Sequence, residues 1–84
     1  MQEVIIYTTN TCPYCVRAKA LLDRKGVKYQ EINVEETVER EKMIIKTGGK
    51  RTVPQIFIGT FHVGGCDDLY ELDKRQELDQ KLSI

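Results

Sequence analysis

The chain has 84 residues, of which 40% are hydrophobic and 31% are charged, enough for one compact domain with a single core and too few for two domains. Lysine and arginine together number 13, as do aspartate and glutamate, so no net field favours nucleic acid or an acidic membrane surface as a partner. No stretch approaches the ~20 apolar residues of a membrane-spanning helix, and the sequence begins without a basic and apolar leader. We therefore expect a cytoplasmic protein whose residues 1–84 form one domain.

The first half of the chain predicts two strands and two helices. Val4–Tyr7 is rich in β-branched residues, which is typical of a strand buried on both faces. From Pro13 apolar residues recur every three or four positions until Gly26 supplies a stop, and this pattern predicts a helix. Alternation across Val27–Val34 predicts the second strand, and the charged segment Thr37–Lys46 predicts the second helix.

The second half predicts a hairpin followed by helix. Ile56–Ile58 and Phe61–Val63 are typical of two strands joined by a tight turn. Cys66 opens a helix with an acidic first turn, and two leucines four residues apart near the end of the sequence indicate a further helical piece. The order β-α-β-α-β-β-α predicts an α/β protein with a mixed four-stranded sheet flanked by helices.

Cys12 and Cys15 stand two residues apart where the first helix begins. Cys12 lies at the helix N-terminus, where unpaired N–H groups and the dipole favour an anion, and Arg17 and Lys19 add positive charge. Cys15 is about one turn further on, so the two Cα atoms should fall within the ~4.4–6.8 Å that a disulfide requires. Pro13 suits the first turn, because the N–H group it lacks would be unpaired there. The pattern favours redox chemistry on sulfur, with a structural thiol pair as the alternative.

Three motifs together resemble one known family. TCPYC at 11–15, TVP at 52–54 and GGCDD at 64–68 resemble the small bacterial dithiol glutaredoxins of the class-3 type, over essentially the whole chain. The resemblance implies a thioredoxin fold and a glutathione-dependent thiol-disulfide oxidoreductase, with glutathione as co-substrate and no tightly bound cofactor or metal. It also implies a monomer that acts on glutathionylated and disulfide-containing proteins, with ribonucleotide reductase among the candidates. Glutathione reductase and NADPH are then indirect partners, which keep glutathione reduced.

The resemblance implies two routes for the cysteines. In the monothiol route Cys12, the nucleophile, takes glutathione from a mixed disulfide and is released by a second glutathione. In the dithiol route Cys15 resolves a mixed disulfide between Cys12 and a protein, and two glutathiones reduce the resulting disulfide. A thiol whose pKa falls from ~8.5 to ~5 is almost all thiolate at pH 7, but loses about as much in nucleophilicity, so its main gain is as a leaving group. We therefore expect Cys12 to turn over by being displaced.

The resemblance also implies a set of glutathione-binding residues. Pro54 is expected to follow a cis bond, so that Val53 offers its backbone to the cysteine of glutathione. Glycines let the ligand approach the last helix, whose first N–H groups face the γ-glutamyl carboxylate, while Asp67 meets the ammonium. Asp68 assists or complements the helix dipole. The full set is Tyr14, Thr52, Val53, Pro54, Gly65, Cys66, Asp67 and Asp68, together with Arg40.

One position departs from the family pattern. Members commonly carry a basic residue three before the first cysteine, to meet the glycine carboxylate of glutathione, and this chain has Thr9. Arg40 matches another position where the family often places a basic or amide side chain, and Lys50 or Arg51 could substitute. The alternative for Arg40 is an ordinary surface pair with Glu36, four residues earlier.

Two other functions stay open. Three cysteines without a secretion signal leave metal binding as an option beside redox chemistry, and Cys12, Cys15, His62 and Cys66 are possible ligands of zinc or an iron–sulfur cluster. Their spacing is not that of a structural zinc site, and a lone histidine on a hairpin is usually exposed. A thioredoxin-like reductant served by a flavoprotein reductase is the closer alternative, but it has no need of GGCDD. Cys66 itself is expected to be buried or semi-buried, with a regulatory thiol as the alternative.

Overall fold

The computed structural model describes residues 2–84. Its strands are β1 (Val4–Thr8), β2 (Gln30–Asn33), β3 (Gln55–Ile58) and β4 (Phe61–Gly64). Its helices are α1 (Pro13–Arg24), α2 (Thr37–Lys46), α3 (Cys66–Lys74) and α4 (Leu78–Leu82). The strands form one sheet in the order β2-β1-β3-β4, in which β2 is parallel to β1, and β3 is antiparallel to β1 and β4. The α/β class and the mixed four-stranded sheet expected from the sequence are confirmed.

The second strand is shorter than the alternation across Val27–Val34 predicts. It lies at the sheet edge and pairs only with β1, from Ile5 opposite Gln30 to Thr8 opposite Asn33. The Val27 N–H donates instead to Leu22 O at the end of α1, at 3.4 Å. The prediction of a strand from residue 27 is therefore wrong, because an alternating pattern does not record where the partner strand begins.

The core lies on both faces of the sheet. On one face, apolar residues of β1 and β3 pack against α1, α3 and α4, and Ile6 and Leu69 are fully buried there. On the other face, Tyr7 and Phe57 pack with Met43 of α2. Successive strand residues face opposite sides, so both central strands are covered on both faces, as their apolar runs predict. The packing fixes the start of α1 close to the end of β1. No helix between residues 2 and 84 has the length and apolar character needed to cross a membrane.

The end of β1 is held by a buried hydroxyl group. Thr8 is fully buried, and its Oγ1 donates to Glu31 Oε2 at 2.6 Å. Lys19 of α1 donates to the same oxygen at 3.0 Å. The hydrogen bond from the Thr8 hydroxyl has the largest effect on the Glu31 carboxyl and holds its pKa below the ordinary value, and the hydrogen bond from Lys19 adds to this lowering. This network joins β1, the edge strand and α1 just before the cysteine motif.

Replacement of Thr8 by valine should destabilise the protein in a pH-dependent way. At about pH 7 we expect a loss of roughly 0.5–1 kcal/mol in the free energy of unfolding. This is less than the ~1.5–3 kcal/mol of a bond to a charged group, because the Glu31 side chain is 40% exposed and partly screened. Because the native pKa of Glu31 is depressed, its contribution is present above the unfolded value of about 4.3 and is lost as pH falls through the native value.

Urea unfolding of wild type and Thr8→Val over about pH 7 to about pH 3 measures this difference, which should shrink with acidification. Thr60→Val, on the exposed turn of the hairpin, is the matched control and should show no such pH dependence. A Thr8→Val deficit that stays the same size across the series would contradict the role given to Glu31.

Candidate active site

Cys12 is the N-cap residue of α1. Its backbone is extended, with φ −140° and ψ 98°, and its Sγ accepts the N–H of Cys15 at 3.1 Å. The two cysteines form a disulfide pair with Cα atoms 5.2 Å apart, within the range expected from the sequence. Cys12 is half-buried, whereas Cys15 is only 1% exposed. An incoming substrate therefore meets Cys12 first, and Cys15 can reach that sulfur only from inside.

The loop before Cys12 is tied to the segment after β2. The Asn10 N–H donates to Glu35 Oε2 at 2.8 Å, and Asn33 Nδ2 donates to Asn10 Oδ1 at 2.7 Å. Asn33 Oδ1 in turn accepts the Glu35 N–H at 2.9 Å. These residues were not predicted from the sequence, although Asn10 lies in a polar run between strand and helix, where side chains commonly bond to the backbone.

The TVP segment lies beside Cys12. The Val53-Pro54 peptide bond is cis, which confirms the expectation for this proline. The Val53 carbonyl oxygen lies 4.0 Å from Cys12 Sγ. No side chain or backbone group between residues 2 and 84 pairs with the Val53 N–H. The segment therefore presents a free backbone donor next to the exposed sulfur.

A groove of about 250 Å³ runs along this segment to the start of α3. Eight of the predicted binding residues line it, and Arg40 does not. The lining residues are Tyr14, Lys50, Thr52, Val53, Pro54, Gln55, Gly64, Gly65, Cys66, Asp67 and Asp68. Motifs far apart in the sequence thus meet at a single surface next to Cys12.

The two aspartates at the start of α3 differ in their contacts. Asp68 Oδ2 accepts the Gly65 N–H at 3.0 Å and caps the helix. Gly64 has φ +111°, and a Cβ there would overlap the Asp68 carboxylate, so this turn requires glycine. Asp67 is exposed and has no hydrogen bond or ion pair within residues 2–84. Asp68 thus takes the capping role that the sequence analysis allowed for, and Asp67 is left facing the groove.

Cys66 is the third cysteine and is 4% exposed, as the sequence analysis expected. Burial raises the pKa of its thiol, against a smaller lowering by Arg17. A buried, protonated thiol is a poor nucleophile. The Arg17 guanidinium lies 5.9 Å from the Tyr14 ring centre and 5.4 Å from that of Tyr70, and it steadies the exposed Tyr14 ring at the groove.

The basic residues near the site are not equivalent. Arg40 Nε donates to Val34 O at 3.3 Å and its Nη1 to Arg51 O at 2.8 Å, so it braces the loop that leads to the groove. The suggested surface pair of Arg40 with Glu36 is not formed. Lys19 is bound to Glu31, which corrects the expectation that its charge serves Cys12. Lys50 is exposed and lines the groove.

His62 is half-buried rather than exposed, contrary to the expectation for a lone histidine on a hairpin. Its ring stacks on Phe57, with centroids 4.6 Å apart, and its Nε2 lies 2.7 Å from Gln55 Oε1. Burial, with a smaller effect from Lys50, lowers the pKa of its imidazole. In the part of the chain that the structure describes, no three His, Cys, Asp or Glu side chains are grouped to hold a metal ion.

Gln55 lines the groove and was missed by the sequence analysis. It is only 3% exposed, and its carboxamide contacts both the TVP segment and His62. A signal was present, because a polar residue that opens an apolar central strand must find hydrogen-bond partners once it is buried. The sequence does not say which partners those are.

Comparison with known proteins gives consistent matches. The family model called Glutaredoxin matches residues 4–63. Glutaredoxin 1 of Rickettsia prowazekii is 57% identical over 84 residues, covering 98% of this chain and 88% of that protein. Glutaredoxin 3 of Escherichia coli K12 is 55% identical over 82 residues, covering 98% and 99%. A crystal structure of a buckwheat glutaredoxin–glutathione complex superposes with a TM-score of 0.85 at 34% identity, covering 95% of this chain and 76% of that one.

Proposed function

Since this chain belongs to the glutaredoxin family of thiol-disulfide oxidoreductases, we propose that glutathione is its co-substrate, with Cys12 as nucleophile and Cys15 as resolving thiol. The observation that carries the proposal is the position of Cys12 Sγ, 4.0 Å from Val53 O, at a groove that offers one cation and two carboxylates. Thiol exchange at this sulfur and recognition of a charged tripeptide can then occur together. That a related buckwheat protein was crystallised with glutathione supports the same assignment.

The middle of glutathione is a cysteine with its own N–H and C=O groups. The Val53 N–H is unpaired and its C=O faces the region of Cys12 Sγ. An extended peptide that pairs with exposed backbone gains hydrogen bonds that do not depend on its side chains. We assign the Val53 backbone to the glutathione cysteine, with Thr52, Pro54 and Tyr14 as the walls around it.

The γ-glutamyl end carries a carboxylate and an ammonium. The first N–H groups of α3, on Cys66 and Asp67, have no acceptor inside the helix, and together with the dipole they favour an anion. We assign the carboxylate to these groups, beside Gly65. Asp67 takes the ammonium, since its carboxylate has no other partner between residues 2 and 84, whereas Asp68 is engaged by the Gly65 N–H.

The glycine carboxylate needs a cation, and Thr9 offers none. Lys50 lines the groove, while Arg40 uses Nε and Nη1 on two carbonyl oxygens. We therefore assign this carboxylate to Lys50 and give Arg40 a supporting role, in which it orients the loop before Thr52.

Two exchanges complete the monothiol route. The Cys12 thiolate attacks the glutathione sulfur of a mixed disulfide, a new S–S bond forms, and the substrate leaves as a thiolate that takes up a proton. A second glutathione thiolate then attacks the sulfur of the bound glutathione, which yields oxidised glutathione and expels the Cys12 thiolate. The helix N-terminus helps most in this second step, because a stabilised thiolate is a good leaving group.

The dithiol route uses Cys15. Cys12 first forms a mixed disulfide with a protein and releases one protein thiol. Cys15 gives up its proton and attacks Cys12 Sγ, which releases the second protein thiol and closes the Cys12–Cys15 disulfide. The observed Cα separation of 5.2 Å accommodates this bond. Two glutathiones then supply two electrons and leave as oxidised glutathione.

The proposal carries a set of partners. Glutathionylated and disulfide-containing proteins, ribonucleotide reductase among them, are the expected substrates, and glutathione reductase with NADPH regenerates glutathione. We expect the enzyme to work as a monomer in the cytoplasm, where the glutathione pool is kept reducing. Residues 1–84 serve as one domain, because both cysteines and the groove are built around one sheet.

A coupled assay and two cysteine variants test the proposal. With a glutathione mixed disulfide as substrate, wild type should oxidise NADPH through glutathione reductase, and thioredoxin reductase should not replace it. Cys12→Ser should lose on the order of 10³-fold or more in both reactions, since the nucleophile is removed. Cys15→Ser should keep deglutathionylation and lose reduction of protein disulfides. Full activity in Cys12→Ser, or turnover only with thioredoxin reductase, would overturn the assignment.

Loss of the Lys50 charge should weaken substrate binding. Lys50→Gln is expected to raise KM for the glutathionylated substrate by about three- to tenfold with little change in kcat, because the contact is made equally in ground and transition states. Arg51→Gln is the matched control, with the same loss of charge one residue away and outside the groove. The Lys50 effect should shrink at high salt. Equal KM values for the two variants would contradict this assignment.

A further inference from the structure

Gln55 carries a buried carboxamide in which both ends are bonded. Its Nε2 donates to Thr52 O at 3.0 Å and to Thr52 Oγ1 at 3.2 Å. Its Oε1 lies 2.7 Å from His62 Nε2 on the neighbouring strand β4. The side chain therefore links the TVP segment to the hairpin behind it.

The Thr52 carbonyl oxygen sets the direction of every hydrogen bond between Thr52, Gln55 and His62. A carbonyl oxygen can only accept, so the Gln55 atom facing Thr52 O is the nitrogen. The Gln55 oxygen then faces His62, so His62 Nε2 must carry a hydrogen and donate it. An imidazole of lowered pKa satisfies this in its neutral Nε2–H form.

The bond to Thr52 O also sets the direction of the Val53 N–H. Thr52 O and the Val53 N–H belong to the same planar peptide unit, and in a trans unit the two groups point in opposite directions. The cis bond lies one residue later, between Val53 and Pro54. When Gln55 draws the Thr52 carbonyl toward the sheet, the Val53 N–H is turned away from the sheet and toward the groove.

His62 is well placed to hold the Gln55 carboxamide in this orientation. Its ring stacks on the Phe57 ring at an interplanar angle of 16°. The Lys46 ammonium lies 4.4 Å from the centroid of the same Phe57 ring. His62 does not line the groove. Its hydrogen-bonded connection to the groove runs through Gln55 and Thr52.

We propose that His62 is a positioning residue for glutathione, which acts through Gln55 and the Thr52 carbonyl to aim the Val53 N–H at the ligand. The proposal rests on the assignment of glutathione to the groove and identifies what orients its central contact. Without the imidazole donor, Gln55 Oε1 is left buried and unpaired, the carboxamide turns to find another partner, and the Thr52–Val53 peptide unit loses its fixed direction.

Two variants separate the donor from the ring. His62→Phe keeps a ring that stacks on Phe57 and removes the donor. His62→Gln keeps an N–H donor at a similar reach and removes the ring. For the mixed disulfide of glutathione with 2-mercaptoethanol, we expect His62→Phe to raise KM about tenfold, in the range of orienting residues one step from a site, with kcat nearly unchanged. His62→Gln should stay within about twofold of wild type.

A substrate without a peptide backbone provides the control. Single-turnover oxidation of the reduced enzymes by bis(2-hydroxyethyl) disulfide needs Cys12 and Cys15 but not the Val53 N–H, so all three proteins should react alike. A merely structural role for His62 would lower the melting temperature of the variants and leave KM for the glutathione substrate unmoved.

The outcomes are distinct. A wild-type KM in His62→Phe, or a KM raised as much in His62→Gln, would overturn the proposal. If His62→Phe does not fold, His62→Gln and Gln55→Met decide it, since the first should keep the wild-type KM and the second should raise it. If wild type itself fails to reduce the glutathione substrate while reacting with the small disulfide, the proposed function fails rather than the positioning role.

Discussion

The proposed chemistry depends on one contact at the start of α1, where the Cys15 N–H donates to Cys12 Sγ at 3.1 Å. A fall in thiol pKa from about 8.5 to about 5 corresponds to roughly 5 kcal/mol. A helix N-terminus supplies up to about 2 kcal/mol, and a hydrogen bond to a charged group about 1.5–3 kcal/mol. The sum of these two contributions is close to the free energy that such a fall in pKa requires. Lys19 need not contribute, and it is engaged by Glu31 on the edge strand.

In the proposed function, one residue of each similar pair holds the backbone and the other meets the ligand. Asp68 caps α3 through the Gly65 N–H, which leaves Asp67 open to the groove. Arg40 bonds two carbonyl oxygens, which leaves Lys50 as the cation at the groove surface. In each pair, the residue with the buried or bonded role gives the site its shape, and its neighbour supplies charge. A site that must admit and release a small substrate gains from recognition groups that are already in place.

The order of elements could be predicted from the sequence, because periodicity and helix stops are local signals, and the cysteine spacing is one too. The binding residues in the TVP and GGCDD motifs followed from the family resemblance, and they line the groove. Contacts between segments that are distant in the sequence could not be predicted. The start of β2 depends on where β1 begins to pair, and the Gln55 carboxamide depends on a carbonyl before it and a histidine on the next strand. The Thr8–Glu31 bond likewise joins two strands. Such partners are set by the register of the sheet, which a single sequence does not record.

The central claim is that the N-terminal end of α1 holds Cys12 as a stabilised thiolate. It is tested most directly by the pH dependence of iodoacetamide alkylation of Cys12 in a protein with Cys15→Ser and Cys66→Ser, which keeps the backbone N–H of residue 15. The rate should reach half of its plateau well below the ordinary thiol value of about 8.5. A half-maximum at about pH 8.5 would contradict the account.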